Sequence, residues 1–401
     1  MADELLKAVA ALGTGPLTEA LLARYVFPLF SRVLRSSDIY LANHSLGRPL
    51  DQMPQDVAEA VALWPEKMGN AWDGWLAERE SYRERIARLI GARQPGCVVP
   101  KTSAGQGLRA VLNALPGKPH IVSTRGEFDS VDVILKQYAS LDRISIHWVD
   151  PDENGYFRLR DLLDAVAAGP SLVVVSQVFF MTGQMLAGLD ELAAACHASG
   201  ARLLVDVYHS VGVVPMDVHT ADIDFLIGGC YKYLRGGPGT AFLYVAPRVL
   251  ESGLQPVDTG WFAKEDPFLY ERPDPPRFAP GGDAFLESTP PVLTYYQARA
   301  GQQFTLGVGV DRLRAYSVDR LTRLKRYLEA AGINAGGGDP EHGAFLTVRD
   351  PRASELAAQL AGRGIHADAR NGHLRLSPDC LTRDDELRRA SKVIASVAGA
   401  A

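Results

Sequence analysis

The chain has little of what marks several large protein classes. Cysteine occurs only four times in 401 residues, at Cys97, Cys196, Cys230 and Cys380. Their scatter contains no C-x-x-C pair and no zinc spacing, which excludes a disulfide framework and a sequence-legible metal site and implies reduced thiols. No apolar run approaches the roughly 18 residues of a membrane span. Positive charge is not in excess: Lys and Arg number 42 against 47 Asp and Glu, for a net charge of −5. A nucleic-acid surface needs a concentrated basic face, so that partner is not expected. The opening MADELLKAVAAL lacks the basic start of a signal peptide, so the expected location is cytoplasmic. Internal repeats and low-complexity stretches are missing as well. What remains is ordinary globular composition, 47% hydrophobic and 22% charged, with length for two or three domains.

The stretch 204–239 concentrates chemistry-bearing residues. An apolar run over 203–207 carries a carboxylate, Asp206, and leads to Tyr208, His209 and Ser210. A second run over 222–228 delivers Cys230, Tyr231, Lys232 and Tyr233 before the breaker Gly236-Gly237-Pro238-Gly239. Taken singly, such a lysine is usually a solvated surface group and such an aspartate a cap. Together, 26 residues apart at successive strand ends, they are what a pyridoxal phosphate enzyme needs. The lysine forms a Schiff base, and the acid keeps the pyridine nitrogen protonated. Open α/β folds bind ligands at that carboxyl edge.

Around this centre the pattern alternates. Helical periodicity over 3–12 and 17–34, broken by Gly13, Gly15 and Pro16, predicts an N-terminal arm. Helices follow over 55–64 and 76–92, with Trp64, Trp72 and Trp75 expected in a loop-rich join. A strand ending at Pro100 runs into Lys101-Thr102-Ser103-Ala104-Gly105, and Thr102 and Ser103 open a helix whose N-terminus suits an anion. Strands over 121–124, 144–149 and 172–176 alternate with helices over 131–139, 160–167 and 190–199. That alternation predicts an α/β fold with a mostly parallel sheet covered on both faces. The proline-rich 273–280 reads as a loop and 311–332 as a long helix. Over 343–399 the order strand, helix, strand, helix predicts a small α+β C-terminal domain. The expected division is an arm over 1–45, a large domain over 46–300 and a small domain over 301–401.

The motifs D-x-x-H-S-x-G-x-x-P-x-D, from Asp206, and Y-K-Y-L-x-G-G-P-G, from Tyr231, resemble the lysine region of class V aminotransferase-fold enzymes, and within them that of kynureninases. The resemblance extends from about residue 39 to 378. It takes in the Y-L-A-N-H-S-L-G turn, the Phe128 strand end, the Thr182-Gly183 turn, the Gly260-Trp261-Phe262 loop, the Ser288-Thr289-Pro290-Pro291 segment and the L-R-L-S strand at Arg375. Departures are His44 and Arg235, where asparagine is usual, and Tyr208, where alanine is common. The resemblance implies fold type I with pyridoxal phosphate on Lys232. It also implies Asp206 at the ring nitrogen, Phe128 stacked on the ring, and Thr102, Ser103 and Tyr231 at the phosphate. Ser176 at the phenolic edge and His209 complete that set, and Tyr231 doubles as a proton donor. The family's aspartate falls on Val131, or on Asp132 after one insertion. His44 and Ser45 would lie against an amino-acid substrate whose carboxylate Arg375 forks. Trp261 and Thr289 would come from the neighbouring subunit, implying a homodimer with composite sites and no metal. The activity implied is hydrolysis of kynurenine or a related aryl-keto amino acid to alanine and an anthranilate. Another class V activity, an aminotransferase or a lyase, is the alternative, and a non-catalytic sensor is the third reading. A desulfurase would need a cysteine in the stretch 370–375, which has none.

Overall fold

Unbroken apolar runs build the centre of the molecule, described over residues 2–399 by a computed structural model. LVVVS at Leu172–Ser176 is buried at every position, as a strand covered on both faces requires. In chain order the strands are β1 (Ile39–Tyr40), β2 (Val98–Lys101), β3 (His120–Thr124), β4 (Ser145–Val149), β5 (Leu172–Ser176), β6 (Arg202–Asp206), β7 (Phe225–Gly229) and β8 (Ala241–Val245), then β9 (Leu346–Arg349), β10 (Ile365–His366), β11 (Asp368–Arg370) and β12 (His373–Leu376). The central sheet has the order β2-β8-β7-β6-β5-β3-β4. Pairing is parallel from β4 through to β7, and β8 runs antiparallel to both β7 and β2. The sheet is therefore mostly parallel, and β2 to β7 all end at one edge.

The helix Ala104–Ala114, which follows β2, lies tight on β7 and β8. A Cβ added at Gly107 would stand 3.0 Å from Ile227 and 3.4 Å from Leu243. That packing sets the helix's N-terminus beside the residues leaving β7. The C-terminal sheet has the order β11-β12-β9 and is antiparallel. Its core of Leu321, Leu324, Leu346, Leu374 and Leu387 also includes Ile39 and Leu41, because β1 pairs with β10. Leu5, Leu22 and Phe30 pack on Phe304 and Leu313 in a separate cluster. The turn after β1 is held against the central strands. Gly47 N–H donates to Tyr231 O at 2.8 Å. A Cβ at Gly47 would stand 1.8 Å from Lys232 O, so only glycine allows this approach.

Two expectations are corrected, and one helix is added. The helix over 17–34 stops at Tyr25 and continues as 3₁₀ turns at Phe27–Phe30 and Val33–Arg35, because Pro28 brings no N–H. The tryptophans are not in a loop-rich join: only the turn Met68–Asn70 separates the helix Met53–Lys67, with Trp64, from Ala71–Ile90, with Trp72 and Trp75. A helix at Val292–Val308 has no counterpart in the periodicity. It is buried on most sides, with Gln302 and Thr305 inside, so it lacks the polar stripe that reveals a surface helix. Among the described residues no helix is long and apolar enough to cross a membrane.

Candidate active site

β6 ends on Asp206, β7 leads through Gly229 to Tyr231 and Lys232, β3 leads to Phe128, and β2 leads to Ser103. Because these strands are parallel, the four ends meet. A cavity of about 320 Å³ lies there, with Ser103, Phe128, Asp206, Tyr208, Tyr231 and Lys232 in its wall. Gly229 makes room for the Tyr208 ring in that wall: a Cβ there would fall 2.0 Å from the Tyr208 hydroxyl. The Tyr208 and Tyr231 rings then pack at 5.0 Å.

Lys232 is 4% exposed, and its Nζ lies 2.6 Å from His209 Nε2. Burial pushes the Lys232 ammonium below the ordinary lysine range, against the attraction of Asp206. Burial also pushes the Asp206 carboxyl up, while the Tyr208 N–H, donating to Oδ1 at 2.8 Å, and Lys232 favour its charge. His209 is held well below its usual range by burial and by Lys232, so it stays neutral, and its Nδ1 is buried without a partner. The Phe128 ring centre is 5.4 Å from Lys232 Nζ. Ser103 caps the helix Ala104–Ala114 by accepting from Gln106 N–H at 3.1 Å. Arg109, one turn into that helix, also reaches the cavity. An amine, a buried acid, an aromatic face and a helix N-terminus around one cavity fit pyridoxal phosphate.

Not every expected residue faces the cavity. The Ser176 hydroxyl donates to Glu127 Oε2 at 2.6 Å. Glu127, which the sequence reading passed over, is fully buried, accepts from Thr124 Oγ1 at 2.7 Å and has its carboxyl pushed up to about 7 by desolvation. Its signal was an acid directly before the strand-end aromatic. Thr102 is exposed, and its N–H and hydroxyl both go to Gln106 Oε1, at 2.8 and 3.1 Å. Val131 lines the cavity, whereas Asp132 pairs with Lys136 at 2.7 Å. Trp261 Nε1 donates to Thr289 Oγ1 at 3.3 Å, and neither residue lines the Lys232 cavity of its own chain.

His44, Ser45 and Arg375 gather beside Lys232 and His209. His44 stacks on Phe345 at 4.9 Å, and Phe345 is 5.8 Å from His209. Arg375 is 3% exposed, and its charge helps depress both Lys232 and His209. Its Nη1 donates to Phe180 O at 2.5 Å and its Nη2 to Asp368. Ser45 also donates to Asp368, and His44 Nε2 lies 3.6 Å from it. Burial pushes His44 down to about 3, so it too is neutral. Asp368 is a second residue the sequence reading missed.

The family model for class V aminotransferases matches residues 72–380. The chain belongs to the class V aminotransferase family. Its relatives include the kynureninase of Salinispora tropica, 31% identical over 82% of this chain and 83% of that one. The kynureninase of Pseudomonas fluorescens is 29% identical over 83% and 82%. An uncharacterized aminotransferase of Bacillus subtilis, YcbU, is 28% identical over 88% and 91%. Among solved structures, a C-DES variant with glycine covalently linked to the PLP cofactor superposes with a TM-score of 0.83 at 18% identity, covering 92% of this chain and 98% of its own. A cysteine desulfurase of Thermococcus onnurineus gives 0.78 at 20%, over 92% and 96%. At that identity these two show the fold. The chain is a kynureninase-like class V enzyme whose cofactor is pyridoxal phosphate.

Proposed function

We propose that the chain hydrolyses the Cβ–Cγ bond of L-kynurenine, or a substituted kynurenine, to L-alanine and an anthranilate. The observation that carries this reading is the buried cation Arg375, 5.7 Å from the Phe345 ring that packs 5.8 Å from His209, which in turn touches Lys232 in the wall of a cavity shared with Asp206 and Phe128. That arrangement suits an α-amino acid, with its carboxylate forked by Arg375 and its amine at Lys232. Kynureninases matched over more than four-fifths of both chains support the substrate class.

Bound pyridoxal phosphate supplies an electron sink for the carbon next to the amine. Lys232 Nζ would carry it and, once displaced by the substrate amine, take the Cα proton. The depressed ammonium leaves that nitrogen basic and unprotonated closer to neutral pH. Asp206 would hold the proton on the ring nitrogen, and Phe128 would cover the ring. Ser103, with Thr102 beside it, would take the phosphate, with Tyr231 orienting it and passing a proton to the alanyl fragment. His209 keeps the Lys232 amine in place, and Ser176 acts through Glu127. His44 and Ser45 would close the substrate side.

The four cysteines are buried, and none lines the cavity, so sulfur transfer of the desulfurase kind has no thiol to carry it. A second reading, amino transfer, is favoured by the Bacillus subtilis relative, which is named an aminotransferase. Also proposed are the arm, large-domain and small-domain division at 45 and 300, a cytoplasmic location, and a two-fold dimer with composite sites. Trp261 and Thr289 lie off their own cavity, and Trp261 packs on the exposed Phe268 and Tyr270, as residues serving a partner copy would. The decisive experiment is the product profile from L-kynurenine and 3-hydroxykynurenine. Alanine with an equal amount of anthranilate supports hydrolysis. Turnover that needs a keto-acid acceptor and leaves the carbon chain intact contradicts it.

A further inference from the structure

The antiparallel register sets Asp368 directly opposite Arg375, across the two-residue turn Asn371-Gly372. Both turn residues have positive φ, 44° and 75°, as a tight hairpin turn of this kind requires. Asp368 accepts hydrogen bonds from Arg375 on β12 and from Ser45 in the turn after β1, pairs with Arg370 at 3.2 Å on its own strand, and has the neutral His44 ring 3.6 Å away. Burial pushes its carboxyl up, yet it is held well below the usual range, with Ser45 and the charge of Arg375 among the groups that lower it. Arg375 Nε is buried with no partner, so the guanidinium is fastened at Nη1 and Nη2 and still has an unused donor.

A carboxylate this close to the cation proposed to anchor the substrate has two conceivable roles. It competes with the substrate for Arg375, or it aims Arg375 and remains in place. The charge balance favours the second. Two arginines on one aspartate leave a net positive charge, and so many donors make release of Asp368 costly. We propose that Asp368 is the positioning residue for Arg375. It locks the guanidinium toward the incoming carboxylate and couples that lock to the His44-Ser45 turn. The inference rests on the reading of Arg375 as the carboxylate anchor.

The test uses holoenzyme and a pair of ligands, 3-benzoylpropionate and its primary amide 3-benzoylpropionamide, with binding measured by calorimetry. Asp368→Ala is expected to weaken the carboxylate by roughly tenfold or more while moving the amide less than about twofold. Asp368→Asn, which can still accept from Arg375, is expected to fall between Ala and wild type. A merely structural defect weakens both ligands alike, and that result overturns the proposal. Tighter carboxylate binding in Asp368→Ala also overturns it, in favour of a competitor. Arg375→Met separates the two levels. If it leaves carboxylate binding intact, the anchor reading itself fails and the inference falls with it. If it abolishes the preference for carboxylate while Asp368→Ala does not, only the role of Asp368 fails.

Discussion

Asp206 and Lys232 leave neighbouring strands of one sheet, whereas Ser45 and Asp368, which hydrogen-bond, stand 323 residues apart in the chain. The proposed cofactor side is built from the ends of parallel strands in one sheet, β2, β3, β6 and β7, whose positions follow from sheet topology. The proposed substrate side is assembled from a turn near the N-terminus, a C-terminal hairpin and the aromatic Phe345 packed between His44 and His209. One side is fixed by a single cooperative core. The other depends on three segments meeting, and its polar atoms hold one another through Asp368. Damage to the first should abolish chemistry, and damage to the second should change what binds.

The largest effect expected is from Lys232→Ala. Activity should fall by ~10⁴-fold or more, because both the covalent attachment and the base are lost. The fold should persist, which circular dichroism and thermal unfolding check. Asp206→Asn should cost roughly 10²–10³-fold in kcat, the scale of removing one preorganised electrostatic partner. KM should move little, since Arg375 and His44 are untouched, and steady-state kinetics read the split. A rise in KM at constant kcat in either variant would erase the distinction between the two sides.

Assembly sharpens the comparison, because Trp261 and Thr289 belong to neither side of their own chain. Mixing Lys232→Ala with a Trp261→Ala/Thr289→Ala double variant, under conditions that exchange subunits, should restore about a quarter of wild-type activity. Half the dimers are then hybrids, and each hybrid has one complete site. No recovery after proven exchange would place both residues outside any shared site.

The smallest effect is a pH slope. Glu127 keeps its proton to about pH 7 in the folded chain, against an ordinary value of 4.5. Folding therefore takes up a proton between those values. The group's contribution is fully present below the lower one and is lost as pH rises through the upper one. Relative to Glu127→Gln, wild-type apoprotein should lose on the order of 2 kcal/mol of stability between about pH 5 and pH 8. Denaturant unfolding at both pH values reads the difference, and parallel curves would contradict it.

The comparison also explains what the sequence could reveal. Alternating apolar runs located the sheet, and a carboxylate and a lysine on adjacent strands pointed to the proposed cofactor side, because strand order follows chain order there. Glu127 escaped notice because its partners, Thr124 and Ser176, lie on separate strands whose adjacency is a tertiary fact. Asp368 was more accessible. Asn371-Gly372 is a two-residue turn, and counting back from Arg375 through it reaches Asp368. The helix Val292–Val308 stayed hidden because burial on most sides leaves no stripe. The tryptophans were misplaced because one 3₁₀ turn suffices to join their helices.

The central claim is that Lys232, at the end of β7, carries the cofactor. Borohydride reduction of the protein saturated with pyridoxal phosphate, followed by peptide mapping, tests it directly. The account predicts one equivalent of label per chain, on Lys232, and none in Lys232→Ala. Stoichiometric label on Lys101 or any other lysine would contradict it.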